Sequence, residues 1–495
     1  MTRTALAGLA LLFVAAAMAA GTAAAGEGKD AVPPAPPVPD AAVPDLVIVV
    51  PDCPKGKPVL FPTGDGGEGF VVAVGGSRIL TPGVDGRRVF AGSGMHMKAF
   101  DALTGANLWT TATGDGGPTA VACMGGRVYF NTASCTLYSM DAETGRTQWS
   151  HWIAGSVVTT PTVAGNRVYV SGPNDKGGGL KIECLAVATG KVLYGKSIPQ
   201  EVLSAPVADG DRLFLALADG SVMALDEKGD VLWERNQQAL AAPWPEGGRL
   251  LVASGAFENP TLANMDAATG LASRAVATPR DPGARPSPPP EPSKMASGGR
   301  NNRGAGRVGG VQRPGLPEGP GKDPSGGPSG TGTPPPNPTP PSSPTPTPVR
   351  PPRGGIGGFG YEGPRPCVSG GSAAMAVDGA LLLQPVDGLG EVKRLPLVDT
   401  NGGRPAGSAV AAGGLFLVAT LDGALQAFDA ETGDARFTYR FRTASGQPLV
   451  IGGSPAIHRG RAYFGTHDGR LVGVDLPDAS ADGWPMWGGG PGRSK

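Results

Sequence analysis

Carboxylates at regular spacing are the first residues in this chain that could do chemistry. Asp101, Asp141, Asp226, Asp266 and Asp429 each open a short polar segment that ends in glycine, at Gly105, Gly145, Gly229, Gly270 and Gly433. An aspartate can act as a general base or as an oxygen ligand for a hard cation, but only where other groups converge on it. Here the same residue returns once per repeat, so the carboxylates are dispersed rather than gathered. The Asp-x-x-Thr-Gly pattern has a simpler account: the carboxylate accepts hydrogen bonds from turn amides, and the glycine adopts positive φ at no steric cost.

The remaining reactive side chains are few. His96, His151, His458 and His467 are expected in turns or connections, separated by whole repeats rather than at metal-ligand spacings. The Asn174-Asp175 pair before a glycine run reads as a hydrophilic hairpin tip. Cys123 is expected to end one strand and Cys135 to lie in the turn after the next, about 17 Å apart and too far to bridge. Cys184 reads as a core filler, and a bridge between Cys53 and Cys367 stays open. No Gly-x-Ser-x-Gly elbow, phosphate-cradling loop or zinc spacing occurs, and Gly-rich GDGGEG near residue 64 reads as a loop. With 42 basic and 42 acidic residues the chain is neutral, and no basic-aromatic surface points to nucleic acid.

Stepping out from the aspartates reveals the elements that carry them. The marker position falls at Asp101, Asp141, Ala186, Asp226, Asp266, Asp387, Asp429 and Asp475, with separations of 40, 45, 40, 40, 121, 42 and 46 residues. Removing an insert of roughly 80 residues brings the outlier back into line, and a period near 40 with alternating apolar residues fits four short antiparallel strands per unit. Each unit turns early at a Gly-containing pair: Asp85-Gly86, Gly125-Gly126, Gly165-Asn166, Asp209-Gly210 or Asp378-Gly379. Eight positions after the marker stands a large ring, Trp109, Trp149, Tyr194 or Phe437, with Trp233 seven after; unit five has Arg274 there. Such a ring buries on the order of 150 to 250 Å² and suits the gap between neighbouring sheets. The fold expected is all-β: an eight-bladed propeller of four-stranded antiparallel blades.

The repeat A-x-D-x-x-T-G-x-x-x-W, clearest around Asp101 to Trp109 and Asp141 to Trp149, resembles the tryptophan-docking repeat of quinoprotein-type propellers. That group includes quinone-dependent dehydrogenases and the propeller protein of the bacterial β-barrel assembly machinery. The closing DGWPMWGGGPGR is similar to the Trp-rich segment bordering such propellers, so Trp484 or Trp487 is expected to dock at the last junction. The dehydrogenase branch implies pyrroloquinoline quinone (PQQ) held with Ca²⁺ and a carboxylate base, and commonly a vicinal cysteine pair; no adjacent cysteines occur. The expectation is therefore a non-enzymatic protein-binding scaffold with no cofactor, a quinone-dependent oxidoreductase with a degenerate site being the alternative and a sensor or adhesion module the third reading.

Flanking segments set location. Residues 1–25 read as a signal peptide, with Arg3, an apolar run to about Ala20 and small residues at Ala23, Ala24 and Ala25. No cysteine follows, so the lipobox of a lipoprotein is missing and a soluble, monomeric periplasmic or extracellular protein is expected. Residues 26–45 read as a Pro/Ala-rich linker, 46–275 as blades 1–5, 276–366 as a disordered Pro/Gly-rich insert, and 367–495 as blades 6–8 with closure. Residues 276–360 hold ten Lys or Arg against four Asp or Glu, an excess of +6 that leaves −6 elsewhere. The insert can serve as a solubilising linker or contact an anionic envelope surface.

Overall fold

Tight glycine turns and period-2 apolar strands force hairpins, and hairpins laid side by side make small twisted sheets whose apolar faces must be covered. The computed structural model describes residues 44–154, 160–174, 179–256, 259–272, 363–388, 390–398 and 403–484. Among these residues there are strands and turns but no helices, and the strands form eight separate sheets. Blade 2 shows the pattern: Ala122–Met124, Arg127–Asn131, Thr136–Asp141 and Thr147–Trp152 run antiparallel in sequence order. Its first turn is Gly125-Gly126, both at positive φ. Blade 1 repeats it from Gly83–Asp85 to Asn107–Ala112, blade 3 from Thr162–Ala164 to Val192–Ile198, and blade 4 from Val207–Asp209 to Val231–Asn236.

The first strand of every blade touches the first strands of both neighbours, including Ala456–His458 of blade 8 against Gly83–Asp85 of blade 1, so the ring is closed around an axis lined by these strands. This is an eight-bladed β-propeller. Hydroxyls stitch the inner wall: Thr162 Oγ1 donates to the Pro206 carbonyl (2.6 Å), Ser204 Oγ accepts from the Ala242 amide (2.8 Å), and Ser454 Oγ donates to the Ser408 carbonyl (3.2 Å).

Three blades depart from four strands. Blade 5 has Trp244–Glu246, Arg249–Ala256 and Asn259–Asp266, with a single bridge from Met265 to Ala272; Arg274 lies outside the described residues. Blade 7 gains Asp45–Val50, parallel to its outer strand Ala435–Thr443. Blade 8 supplies three strands from the C-terminal part and takes its fourth from Glu68–Ala73, antiparallel to Arg470–Asp475, with Val59–Pro62 added outside. Residues that precede blade 1 in the chain therefore complete the last two blades.

Blade 6 corrects two sequence expectations. Ser372 pairs with Pro385, where Arg88 pairs with Asp101 in blade 1, so the marker position is Pro385 and not Asp387. The first hairpin turns at Gly370-Gly371, and Asp378-Gly379 makes the next one. The misreading arose because blade 6 lacks both the aspartate and the aromatic that fix register elsewhere. The segments expected as signal peptide and, for the most part, linker, the Pro/Gly-rich residues as far as 362 and Asp175 lie outside the described residues.

Candidate binding surface: the blade junctions and the cleft between blades 3 and 4

The turn aspartates hold their own loops. Asp141 Oδ1 accepts from the Glu143 amide (3.2 Å), the Thr144 amide (2.8 Å) and the Thr144 hydroxyl (2.7 Å), and the Gly145 amide donates to the Asp141 carbonyl (2.9 Å). Asp101, Asp266 and Asp429 repeat this set with Thr104, Thr269 and Thr432. Asp226 uses the Lys228 and Asp230 amides, both at 2.8 Å, because its turn is one residue shorter. The Thr144 hydroxyl and amide keep the Asp141 carboxyl below its ordinary range, and the Thr269 pair does the same for Asp266. The Arg436 guanidinium, with the Thr432 amide behind it, holds Asp429 down to about 2. In each case one carboxylate oxygen serves as the acceptor that holds the turn.

The aromatics meet the glycines of the next blade. A Cβ at Gly145, Gly190, Gly229 or Gly270 would lie 2.5 to 2.6 Å from ring carbons of Trp109, Trp149, Tyr194 and Trp233 respectively. Glycine is needed twice over at these turns, for positive φ and for ring clearance. The indole N–H groups cross the same junctions, from Trp109 to the Ala142 carbonyl (3.1 Å), Trp149 to Val187 (2.9 Å) and Trp233 to Ala267 (3.2 Å). A β-bulge precedes each ring: Ala99 pairs with Trp109 while Phe100 pairs with Asn107, and blade 4 keeps that offset from Ala224 with Trp233 to Leu225 with Val231. The deletion before Trp233 is absorbed in the turn, so all these rings share one register. Phe437 is buried in blade 7 beside Tyr439, with ring centroids 5.1 Å apart.

Trp484 does not dock at the last junction. Phe70, on the strand donated by the N-terminal part, pairs with Gly473 and covers Gly105 of blade 1, where a Cβ would run into its ring. Phe70 has no N–H, and the Ala102 carbonyl, equivalent to that of Ala142, instead accepts from the Tyr463 hydroxyl (3.1 Å) and the Arg461 guanidinium (3.2 Å). Trp484 is buried elsewhere, bridged to Ile457 and stacked on Trp244. Trp487 lies outside the described residues.

Arginines that the sequence reading passed over form a second set of junction contacts. Arg88, Arg127, Arg167, Arg249 and Arg461 each open the second strand of a blade and reach the turn of the next. Arg127 donates to the Val187 carbonyl (3.1 Å), Arg249 to Asp387 (3.0 Å) and Arg167 to Glu227. For four of them the signal was present in the recurring Arg-apolar-aromatic triplets RVF, RVY and RAY; Arg249 opens RLL instead.

Histidine placement also differs from expectation. His96, His151 and His458 lie in strands, and only His467 is in a turn. His151 Nε2 is 3.1 Å from Glu183, whose other oxygen accepts from Lys181 (2.8 Å). None of the five cysteines is in a disulfide, so the Cys53–Cys367 bridge is not formed; Cys123 sits mid-strand, while Cys184 faces Tyr194 in the core, where burial pushes its thiol up to about 11. Among the described residues, no group of three or more His, Cys, Asp or Glu lies close enough to share a metal ion. A planar quinone would need an open aromatic face at the axis, yet the Trp244 ring is stacked by Trp484 and flanked by Arg365 (5.4 Å). The residues here do not fit that cofactor.

Between blades 3 and 4 a cavity of about 530 Å³ is lined by Asn166, Arg167, Tyr169, Asp211 and Glu227 with the backbones of Gly165 and Gly210. It lies where blade 3 carries Ala186 in place of the marker aspartate and Tyr194 in place of tryptophan. Tyr194 supplies no indole N–H there, and Arg167, like Arg127 at the preceding junction, crosses to the next turn, donating to the Glu227 carbonyl and pairing with the Glu227 carboxylate at 3.7 Å. The result is a polar cleft with an aromatic wall, carboxylate and amide acceptors, and exposed backbone.

Architecture and junction chemistry define a PQQ-like tryptophan-docking propeller. The profile of the family described as "Outer membrane protein assembly factor BamB" matches residues 93–183, 175–280 and 399–482, and the chain belongs to that family. The assembly factor BamB of Yersinia pestis is 26% identical over 179 residues, covering 32% of this chain and 43% of the relative, so the match spans less than half the relative's length. Two crystal structures share the fold: the computationally designed Ika8 protein (TM-score 0.51, 14% identity, 81% of this chain and 97% of that one) and Saccharomyces cerevisiae Sqt1 (0.53, 10%, 82% and 98%). No helix among the described residues is long and apolar enough to cross a membrane.

Proposed function

We propose that this chain is an exported, non-catalytic propeller that binds protein partners in the cell envelope and takes part in outer-membrane protein assembly. Family membership supports the reading, and the cleft between blades 3 and 4 carries it at the level of residues. A partner loop entering there meets acceptors for its backbone amides and cationic side chains, from Asn166, Asp211 and Glu227, and an apolar wall from Tyr169. Specific protein contacts commonly join an aromatic surface to a polar rim in this way. The turn face offers this chemistry at a junction where blade 3 lacks both the marker aspartate and the tryptophan. Residues 1–25 direct export, and the basic insert contacts anionic envelope polymers.

Site-specific photo-crosslinking in the native envelope tests the assignment. A crosslinker at Asn166 or Asp211 should capture an outer-membrane assembly component, whereas one at Gln148 on the outer wall of blade 2 should not. Equal capture at all three positions, or none, rejects the cleft. N-terminal sequencing of the periplasmic protein should begin near residue 26, and retention of the isolated insert on anionic polymers should weaken with salt.

A further inference from the structure

We infer that the segment Leu476–Trp484 is a latch that closes the ring a second time, from the axis, and ties blades 7 and 8 to blade 5. Closure by Glu68–Ala73 acts at the outer edge of blade 8. The latch acts at the inner edge. Leaving the last strand, the Leu476 amide donates to the Gly460 carbonyl (2.8 Å), and the chain then crosses the first turns of blades 8 and 7. The Gly460 amide donates to Ala481 (2.7 Å), and the Gly413 amide to Asp482 (3.2 Å). A Cβ at Gly413 or Gly460 would lie 2.7 Å from the Cα of Ala481 or Ala479, so both turns are shaped for a chain lying against them.

The segment ends with Trp484 exchanging two backbone hydrogen bonds with Ile457, at 2.6 and 3.2 Å. Ile457 belongs to the innermost strand of blade 8, whose outer edge is already paired to Arg461–Gly465. Trp484 therefore occupies the edge that faces the axis. Its ring stacks on Trp244 in the innermost strand of blade 5, with centroids 5.3 Å apart and planes 13° from parallel. The guanidinium of buried Arg365, from the segment leading into blade 6, packs on the same Trp244.

These contacts span the arc where the chain is least able to hold itself together. Blades 5 and 6 are joined through residues 273–362, and a connection of that length contributes little to keeping its ends together. A Cβ at Gly433 of blade 7 would lie 3.1 to 3.4 Å from side-chain carbons of Leu383 and Leu395 of blade 6, a looser fit than at the indole junctions. A cross-axis tie from blade 8 to blade 5 bounds both weak junctions. Trp484 Nε1 is buried and makes no hydrogen bond to a described residue, so the latch calls for a flat ring rather than an indole donor.

Hydrogen exchange on the full chain tests this. Trp484→Ala should speed exchange across Arg249–Ala256 and Ser372–Val377 by at least about tenfold, with blades 2 and 3 unchanged. Trp484→Phe should restore wild-type exchange. Gly413→Ala, which deletes no ring, should reproduce the selective loosening and keeps the test available if the alanine variant fails to fold. Uniform acceleration around the ring, no acceleration in blades 5 and 6, or failure of phenylalanine to rescue would each overturn the latch.

Discussion

The junction between blades 2 and 3 and the junction between blades 8 and 1 solve one problem with different parts. At the first, Trp149 fills the hole over Gly190 and its N–H satisfies the Val187 carbonyl, so one side chain supplies both ring and donor. At the second, Phe70 fills the hole over Gly105, while Tyr463 and Arg461 satisfy the Ala102 carbonyl from a different strand. The carbonyl faces a packed interface in both places, and a buried acceptor left unpaired is costly. What the ring conserves is therefore a filled volume and a satisfied acceptor, not a residue type. The closing junction must also be made between distant parts of the chain, so its strand reaches blade 8 through ladder pairing with Arg470–Asp475 and through packing, not through a hairpin turn.

The largest break in this comparison comes from Phe70→Ala. It removes a fully buried ring from the closing strand, and unfolding should require about 3 to 5 kcal/mol less by denaturant titration. A loss below about 1 kcal/mol would mean that the Glu68–Ala73 strand is not what shuts the ring. Gly190→Ala comes next, costing about 2 kcal/mol or more, because a Cβ at φ 67° is strained and must also displace Trp149. Two milder changes sharpen the equivalence. Trp149→Phe and Tyr463→Phe each delete a donor and keep a ring, and each should cost about 1 kcal/mol. Arg127 remains as a second donor at Val187, and Arg461 at Ala102, so unequal losses would show that the two designs are not interchangeable.

Acid gives the smallest effect. Asp141, Asp266 and Asp429 have carboxyls held below their unfolded values, so the stability they add is complete above about pH 4, the unfolded aspartate range. It is lost as pH falls through the folded values, down to about 2 for Asp429. Replacing all three with asparagine should flatten the fall in melting temperature over that window and leave the neutral-pH slope unaltered.

Much of the architecture was legible because the turn aspartates and docking aromatics repeat their chemistry at fixed spacing. Blades 1 to 4 and 7 could be placed residue by residue from Trp109, Trp149, Tyr194, Trp233 and Phe437. Blade 6 was misplaced by two residues because Pro385 and Lys393 stand where an aspartate and an aromatic stand elsewhere. The cleft between blades 3 and 4 was not legible: Asn166, Asp211 and Glu227 stand in turns of two different blades, and only the folded ring brings them to one cavity.

The sequence by itself determined the blade. Its strand alternation, glycine turns, carboxylate-held loops and interlocking rings are local, recurring within about 45 residues, and local patterns are written in adjacent letters. Tertiary structure alone decided how the ring shuts. Phe70 is separated by about 400 residues from Gly473, its strand partner, and Trp484 by 240 from Trp244, against which it stacks. Neither pairing follows a spacing rule, because each depends on the accumulated twist and number of blades that bring distant parts of the chain to one place.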